Sequence, residues 1–308
     1  MLTLAEAEKY TTNSVYAGIV EEYIRNSPIF RYLSFMDVEG NAWQYLRENA
    51  RSTAAFYNPN EVINESTPTT TQVTVALKEM FHDIDIDNFL KETRSNYTDI
   101  EAEYILEGGK IMRFTFLDEF FYGDTAVNAK GFTGLHGLTP SGQQINQGSA
   151  TTAAALSITN LDALMDEIEG EPADILVTTK RTRRRINAYT RANGLYESAR
   201  DEWGNMMNYY QGVPLFVDDS LVDTETISGG DYSAKTGGSS SSIFAVRFGM
   251  NGIFGIQKGS SIEKIEIGQL ESKDAMRHRL RWYVAMGLYS TLGLARIDGI
   301  DSSVAVVS

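Results

Sequence analysis

Hydrophobic and polar residues change period several times along this chain. Val15, Ile19, Tyr23 and Ile24 recur at helical spacing until Asn26-Ser-Pro28, where proline interrupts the pattern, so the spacing predicts a helix in an N-terminal arm. From Phe35 to Tyr45, and again from Thr69 to Phe89, the period drops to two, as in Gln72-Val-Thr-Val-Ala-Leu77 and Asp83-Ile-Asp-Ile-Asp87. That alternation is the signature of half-buried strands. The stretch joining them, from Ala55 to Val75, is polar, β-branched and rich in turn formers, and it reads as the outer part of a long hairpin.

Helical spacing returns between Asn96 and Gly123. Thr98 and Glu101 make a capping box, apolar residues continue to Phe121, and Gly123 offers a stop, which predicts one long helix weakened at Gly108-Gly109. The Gly-, Ser-, Gln- and Thr-rich run from Gly123 to Ala153 reads as a loop. Thr159-Asn160 then cap a short helix carrying Leu161, Leu164, Met165 and Ile168. Strand Asp174–Thr179, a basic helix from Lys180 to Asn193, strand Val213–Val217 and strand Ile243–Phe248 follow, with Ser228–Ser242 read as a flexible loop. This order suggests an α/β or α+β module of roughly a hundred residues. From Ile262 to Ile300 the pattern alternates again and reads as long strands.

Composition narrows the chemistry. With 42% hydrophobic and 22% charged residues, the 308-residue chain can bury a real core. There is no cysteine, so disulfides, thiolate catalysis and the usual zinc sites are excluded, and His82, His136 and His278 are the only histidines. The apolar run Trp282–Ala295 is shorter than the ~20 residues that span a bilayer, and no charged segment followed by an apolar one opens the chain, so neither a membrane partner nor secretion is expected. A net charge of -14 repels phosphate backbones and argues against a protein that grips nucleic acid, though not against one that encloses it.

The local motifs do not assemble into a catalytic site. Asp83, Asp85 and Asp87 share one strand face, but a calcium loop would need glycine at Asn88 and glutamate at Arg94, so a solvated or interfacial face is the expectation. Lys180–Arg191 is the only dense basic run; its charges spread around a helix that buries Ile186 and Tyr189, which favours pairing with nearby acids through Arg183, Arg184 and Arg185 over DNA binding. Gly131–Gly137 is not a dinucleotide fingerprint, and Gly237–Ser242 lacks the ending of a phosphate loop and reads as flexible linker. His136 and His278 lack a Ser or Asp partner at any recognisable motif. No enzyme, cofactor or metal is expected.

The order of elements and the wording of several segments carry a resemblance. Asn41-Ala-Trp-Gln-Tyr-Leu-Arg-Glu-Asn49, Asn64-Glu-Ser-Thr-Pro-Thr-Thr-Thr-Gln-Val73, Asp85-Ile-Asp-Asn-Phe89, Phe132-Thr-Gly-Leu135, Ala173-Asp-Ile-Leu176 before Arg183-Arg-Arg, and Arg281-Trp-Tyr283 are similar to major capsid proteins of tailed bacteriophages, the Hong Kong 97 type shared with encapsulins. The resemblance implies an α+β fold with an N-terminal arm (1–35), an extended E-loop hairpin with peripheral-domain strands (36–90), a peripheral domain with a spine helix (91–154), an axial domain (155–258) and peripheral return strands (259–308).

It also implies a non-enzymatic shell subunit, forming hexamers and pentamers around packaged double-stranded DNA without binding it specifically. Portal and scaffolding proteins would be partners, and the chain would reside in the virion after assembly in the host cytoplasm. Arg51, Phe56, Tyr57, Asn60, Glu61 and Glu65 on the E-loop become the expected intersubunit contacts. Some members of the family weld subunits through an E-loop lysine, but none lies between Lys9 and Lys78, so cohesion should be non-covalent. The chain opens directly on the arm, which suggests a separate scaffolding protein or none. An encapsulin-like compartment for cargo enzymes is the alternative within the fold; a soluble hydrolase or ligand-binding protein is the alternative outside it.

Overall fold

The computed structural model describes residues 27–94, 100–149, 151–194, 197–200, 206–259 and 262–307. The expected helix through Val15–Ile24, and Thr98 of the expected capping box, lie outside these residues. Strands are numbered β1 (Phe35–Asp37), β2 (Ala42–Ala50), β3 (Thr69–Ala76), β4 (Lys78–Asp87), β5 (Gln144–Asn146), β6 (Ile175–Thr178), β7 (Glu197–Arg200), β8 (Met206–Tyr210) and β9 (Val213–Val217). They continue with β10 (Thr226–Ser228), β11 (Asp231–Ala234), β12 (Ser241–Val246), β13 (Ile253–Gln257), β14 (Glu263–Gln269), β15 (Ala275–Leu288) and β16 (Leu294–Ile300).

Two large sheets organise the molecule. In the first, β15 is the spine: β4 pairs along one edge, from Asp87 opposite Ala275 to Lys78 opposite Val284, while β14 and β13 follow one another along the other edge. β1 closes this sheet, parallel to β13. Even-numbered residues of β4 and β15 face inward, with Ile84, Ile86, Leu280 and Trp282 buried, and the odd-numbered arginines of β15 point the other way.

The long helix Ile100–Tyr122 lies on the buried face, through a stripe at Gly108, Met112, Phe116, Leu117, Phe120 and Phe121 that repeats every turn. Phe116 is the hub of an aromatic cluster, with ring centroids 5.5 Å from Phe30, 5.5 Å from Phe132 and 4.9 Å from Trp282. The helix runs unbroken through Gly108-Gly109, contrary to the weakening expected there. The reason is close packing: a Cβ on Gly108 would stand 2.7 Å from Ile84 Cδ1 and 2.9 Å from Leu280 Cδ1, so glycine lets the helix settle onto the sheet.

The second sheet has the order β5-β16-β12-β6-β9-β8-β7. Every residue of β6, β12 and β16 is buried, because both faces of the sheet are covered. One face receives helix Ile158–Asp166 through Leu161 and Leu164, and helix Lys180–Ala192 through Ile186. The other face, with Ile175, Val177, Phe244 and Val246, merges with the core under the long helix, where Phe121 meets Phe244 at 6.0 Å.

Three local expectations are corrected here. Leu294–Ile300, grouped by sequence with the peripheral return strands, instead joins the second sheet as β16, between β5 and β12. Helix Ile158–Asp166 is preceded by Ser157, whose side chain makes no capping bond, so Thr159-Asn160 lie inside it. The segment read as flexible linker ends in Ser240, Ser241 and Ser242, all buried and hydrogen-bonded; Ser240 donates to the Glu225 carbonyl at 2.7 Å, and Ser241 shares a hydrogen bond of 3.0 Å with Thr182.

Candidate assembly surface

The first sheet positions an arm. β2 and β3 form a two-stranded ribbon, from Ala42 opposite Ala76 to Ala50 opposite Thr69, with the register slipping between Glu48 and Ala50. Its base is fastened to the end of β15. Trp43 Nε1 donates to the Tyr289 hydroxyl at 2.9 Å, Arg47 Nε donates to the Tyr289 carbonyl at 3.0 Å, and the Tyr45 hydroxyl donates to the Leu288 carbonyl. Tyr45 also packs its ring 4.7 Å from Tyr289. Beyond Arg47 the ribbon and the segment that follows it are exposed among the described residues, from Glu48 through Thr70.

Within that arm, Phe56 is completely exposed, and Val62 and Ile63 are exposed at 79% and 74%. The tip is nevertheless built. Asn60 takes a left-handed φ of 71°, which asparagine tolerates, the Glu61 amide donates to the Asn58 carbonyl at 3.1 Å, and the Asn58 amide donates to Glu61 Oε2 at 2.8 Å. Thr53 N donates to Ser66 Oγ at 2.9 Å and ties the two limbs.

The expected contact residues thus divide. Asn60 and Glu61 shape the tip, Arg51 lies 3.8 Å from Glu48, Tyr57 and Glu65 are exposed, and Phe56 is a bare ring. Sequence reasoning missed Val62 and Ile63, although their apolar character beside Asn58-Pro-Asn60 was the available signal.

Apolar exposure is also found on the long helix. Leu106 is exposed at 59% and Ile111 lies on the outer side, while between helix and sheet a groove of about 510 Å³ is lined by Phe30, Phe35, Ile105, Arg113, Leu280 and Trp282. A helix apolar on two sides is suited to packing on two sides.

Several charged residues elsewhere are matched within the chain. Asp83 faces Arg279 and Asp85 faces Arg277 across the β4–β15 ladder, each pair joined by two hydrogen bonds of 2.6–2.8 Å. The hydrogen bonds from those guanidiniums hold both carboxyls below their ordinary range. Glu101, Glu266 and His278 bring ligand atoms within 4.8 Å of one another, the spacing of a metal site. Lysine already supplies the positive charge there: Lys91 Nζ is 2.6 Å from Glu101, and Lys264 Nζ is 3.1 Å from Glu101 and 3.4 Å from Glu266. Hydrogen bonding from Lys91, aided by Lys264, lowers Glu101 to about 2, so the cluster is an ion-pair node.

On the basic helix, Arg185 donates to the carbonyls of Ser302 and Ser303, Lys180 pairs with Asp219 at 2.6 Å, Arg184 is exposed and Arg183 is half-buried. Among the described residues no acid pairs with Arg183, Arg184 or Arg185. The expected pairing with acids, within the domain or between subunits, is thus not met inside the described chain, where Arg185 ties instead to the C-terminal segment.

No family model matches the chain, and no curated protein matches it in sequence. Solved structures match it along its whole length. The holo-SrpI encapsulin complex of Synechococcus elongatus PCC 7942 aligns at a TM-score of 0.71 and 16% identity, over 99% of this chain and 98% of that one. The capsid of the native GTA particle aligns at 0.65 and 14%, covering 96% and 98%, and a structure from Microbacterium phage Oxtober96 at 0.62 and 12%, covering 96% and 97%. Agreement over both full lengths, together with the hairpin arm, the long helix and the two sheets, gives the architecture its name: the chain has the α+β Hong Kong 97-type capsid fold.

Proposed function

We propose that this chain is the subunit of a closed protein shell, and within that class the major capsid protein of a tailed phage. The observation that carries the reading is the arm, whose residues 51–70 are exposed throughout and whose Phe56, Val62 and Ile63 find no cover among the described residues. Such side chains gain most from burial against another molecule, at about 25 cal/mol per Å² of apolar surface. A second copy is the proposed cover, with the outer side of its long helix as the receiving surface. Repetition of one such contact closes a shell of hexamers and pentamers.

The content proposed is double-stranded DNA, held without a specific site, since a wall of net charge -14 does not grip phosphate. A portal and a scaffolding protein are the proposed partners, and the virion, assembled in the host cytoplasm, the proposed location. No catalytic role is assigned. An encapsulin-like compartment is the second reading, favoured by the TM-score of 0.71 to the SrpI shell.

Electron microscopy of the purified protein tests the common claim, for which closed particles are the expected result. A monomer or small oligomer at all assembly concentrations would overturn it and return the soluble hydrolase or ligand-binding reading. Particle contents then separate the two shells: nuclease-protected double-stranded DNA supports the phage reading, and a co-purifying cargo enzyme with no nucleic acid supports the compartment.

A further inference from the structure

Where the long helix ends against the second sheet, a buried group of ionisable side chains takes no part in the assembly surface. Glu225 and Asp298 are 2% and 1% exposed, and their carboxyls meet through one hydroxyl. Ser242 Oγ is in hydrogen-bonding contact with Glu225 Oε2 and lies 3.0 Å from Asp298 Oδ1. A serine hydroxyl carries one proton and donates once. With both carboxyls ionised, one of the two contacts would set lone pair against lone pair.

The surroundings say which carboxyl is ionised. Arg296 Nε lies 2.8 Å from Asp298 Oδ2, so Asp298 has its counter-charge. Glu225 has only His136 Nε2 within ion-pair range among the described residues, at 3.5 Å. That imidazole is neutral: Arg296 presents a donor 2.9 Å from His136 Nδ1, which must accept, leaving the ring's one proton on Nε2.

We propose that one proton is held between Glu225 and Asp298 through Ser242, with Glu225 as the carboxylic acid, and that this proton locks the end of the long helix to the second sheet. Glu225 Oε2–H then donates to Ser242 Oγ, and Ser242 donates to Asp298 Oδ1. Glu225 Oε1 accepts from the Tyr122 hydroxyl at 2.6 Å, and that hydroxyl accepts from Val222 N at 3.0 Å.

Every neighbouring element contributes. Tyr122 is the last residue of the long helix, Ser242 belongs to β12, and Arg296 and Asp298 belong to β16. His136, in helix Leu135–Leu138, stacks 3.7 Å from Tyr232 of β11 and 5.2 Å from Tyr122. Asp231 of β11 also binds Arg296, so one guanidinium serves several acids, and Asp223 and Asp124 add negative charge facing Glu225 and Tyr232. Lys235, 5.1 Å from the Tyr122 ring, is paired with Asp118 at 3.3 Å.

Titration agrees with the geometry. Burial pushes Glu225 up to about 7, against the lowering effect of its hydrogen-bonding contacts with Ser242 and Tyr122; it raises Asp298 to about 6 against Arg296, and drives His136 down to about 3. Because the folded value of Glu225 lies above its ordinary 4.5, its contribution to stability is complete below 4.5 and is lost as pH rises through about 7. Asp298 behaves in the same sense, from its ordinary 3.8 to about 6. His136 works oppositely: its contribution is present above 6.5 and is lost as pH falls towards about 3.

Infrared difference spectroscopy on the full-length protein between about pH 6 and 9 reads the proton directly, since exposed carboxyls are ionised throughout that range. The expected result is a carboxylic-acid band at the lower pH that disappears at the higher and shifts when glutamate carboxyls alone are carbon-13 labelled. Glu225→Gln should remove it, and between about pH 5 and 8 the wild-type unfolding constant should rise at least about tenfold relative to that of the variant. Absence of the band, a shift on aspartate labelling alone, or parallel pH profiles would overturn the proposal. If the variant does not fold, labelling of the wild type decides.

Discussion

Gly108 and Gly109 are adjacent in sequence and opposite in consequence. A methyl group at 108 is driven into Ile84 and Leu280, whereas one at 109 meets nothing within 4 Å. Gly108→Ala should therefore destabilise the subunit by about 1–3 kcal/mol through overpacking, while Gly109→Ala should stabilise it by about 0.4–1 kcal/mol by restricting the unfolded chain. Chemical denaturation of the two unassembled variants checks both signs. Sequence shows two helix-weakening glycines and cannot tell them apart, because the difference lies in residues far along the chain. The same distance hides the partners of His136: Glu225 and Asp298 belong to other segments, and no local motif joins them.

At the scale of elements, what the sequence made legible was whatever alternates or repeats. The β2–β3 ribbon, β4 and the long helix sit where their periods place them: β4 and the helix have one face in the core and one outside it, and the ribbon turns Tyr45 and Val75 towards the core at its base. β16 has no such contrast. Leu294–Ile300 is buried on both faces, and its Arg296 and Asp298, which look like surface residues in a sequence, neutralise one another inside. Ser240–Ser242 mislead for the same reason, since serines satisfied by buried acceptors have the composition of a linker.

The arm can be tested as an element. Removing residues 52–70 should leave a folded, soluble subunit, since none of them is buried, and should abolish closed particles. Particles at normal yield, seen by electron microscopy, would refute its role. The basic helix divides further. Arg185→Gln should lower thermal stability by releasing the carbonyls of Ser302 and Ser303, while Arg183→Gln with Arg184→Gln should leave the subunit's melting unchanged and act only on assembly. Duplex DNA binding by the wild-type subunit at physiological salt, lost in the double variant with assembly intact, would instead make this helix a nucleic-acid site.

For the whole molecule, the proposed cohesion between copies rests on surface and not on bonds. The arm brings no lysine and the chain no cysteine, so boiled particles should run as a single band near 34.2 kDa on a denaturing gel. A ladder of multimers would show covalent joining. The two-sheet plan has a further consequence, in time. β1 is paired with β13 and β4 with β15, so the first sheet is woven from the two ends of the described chain. Chains dominated by such distant pairings fold slowly, because loop closure precedes the contacts that reward it. On the ribosome, the arm has no base to stand on until Tyr289 has emerged, since Trp43 and Arg47 both anchor there. Nascent chains arrested before β15 should stay protease-sensitive through β4, and those released after β16 should resist. In a polysome crowded with unfinished subunits, the proposed joining surface stays incomplete until the residues around Tyr289 have been made, which would hold back premature assembly.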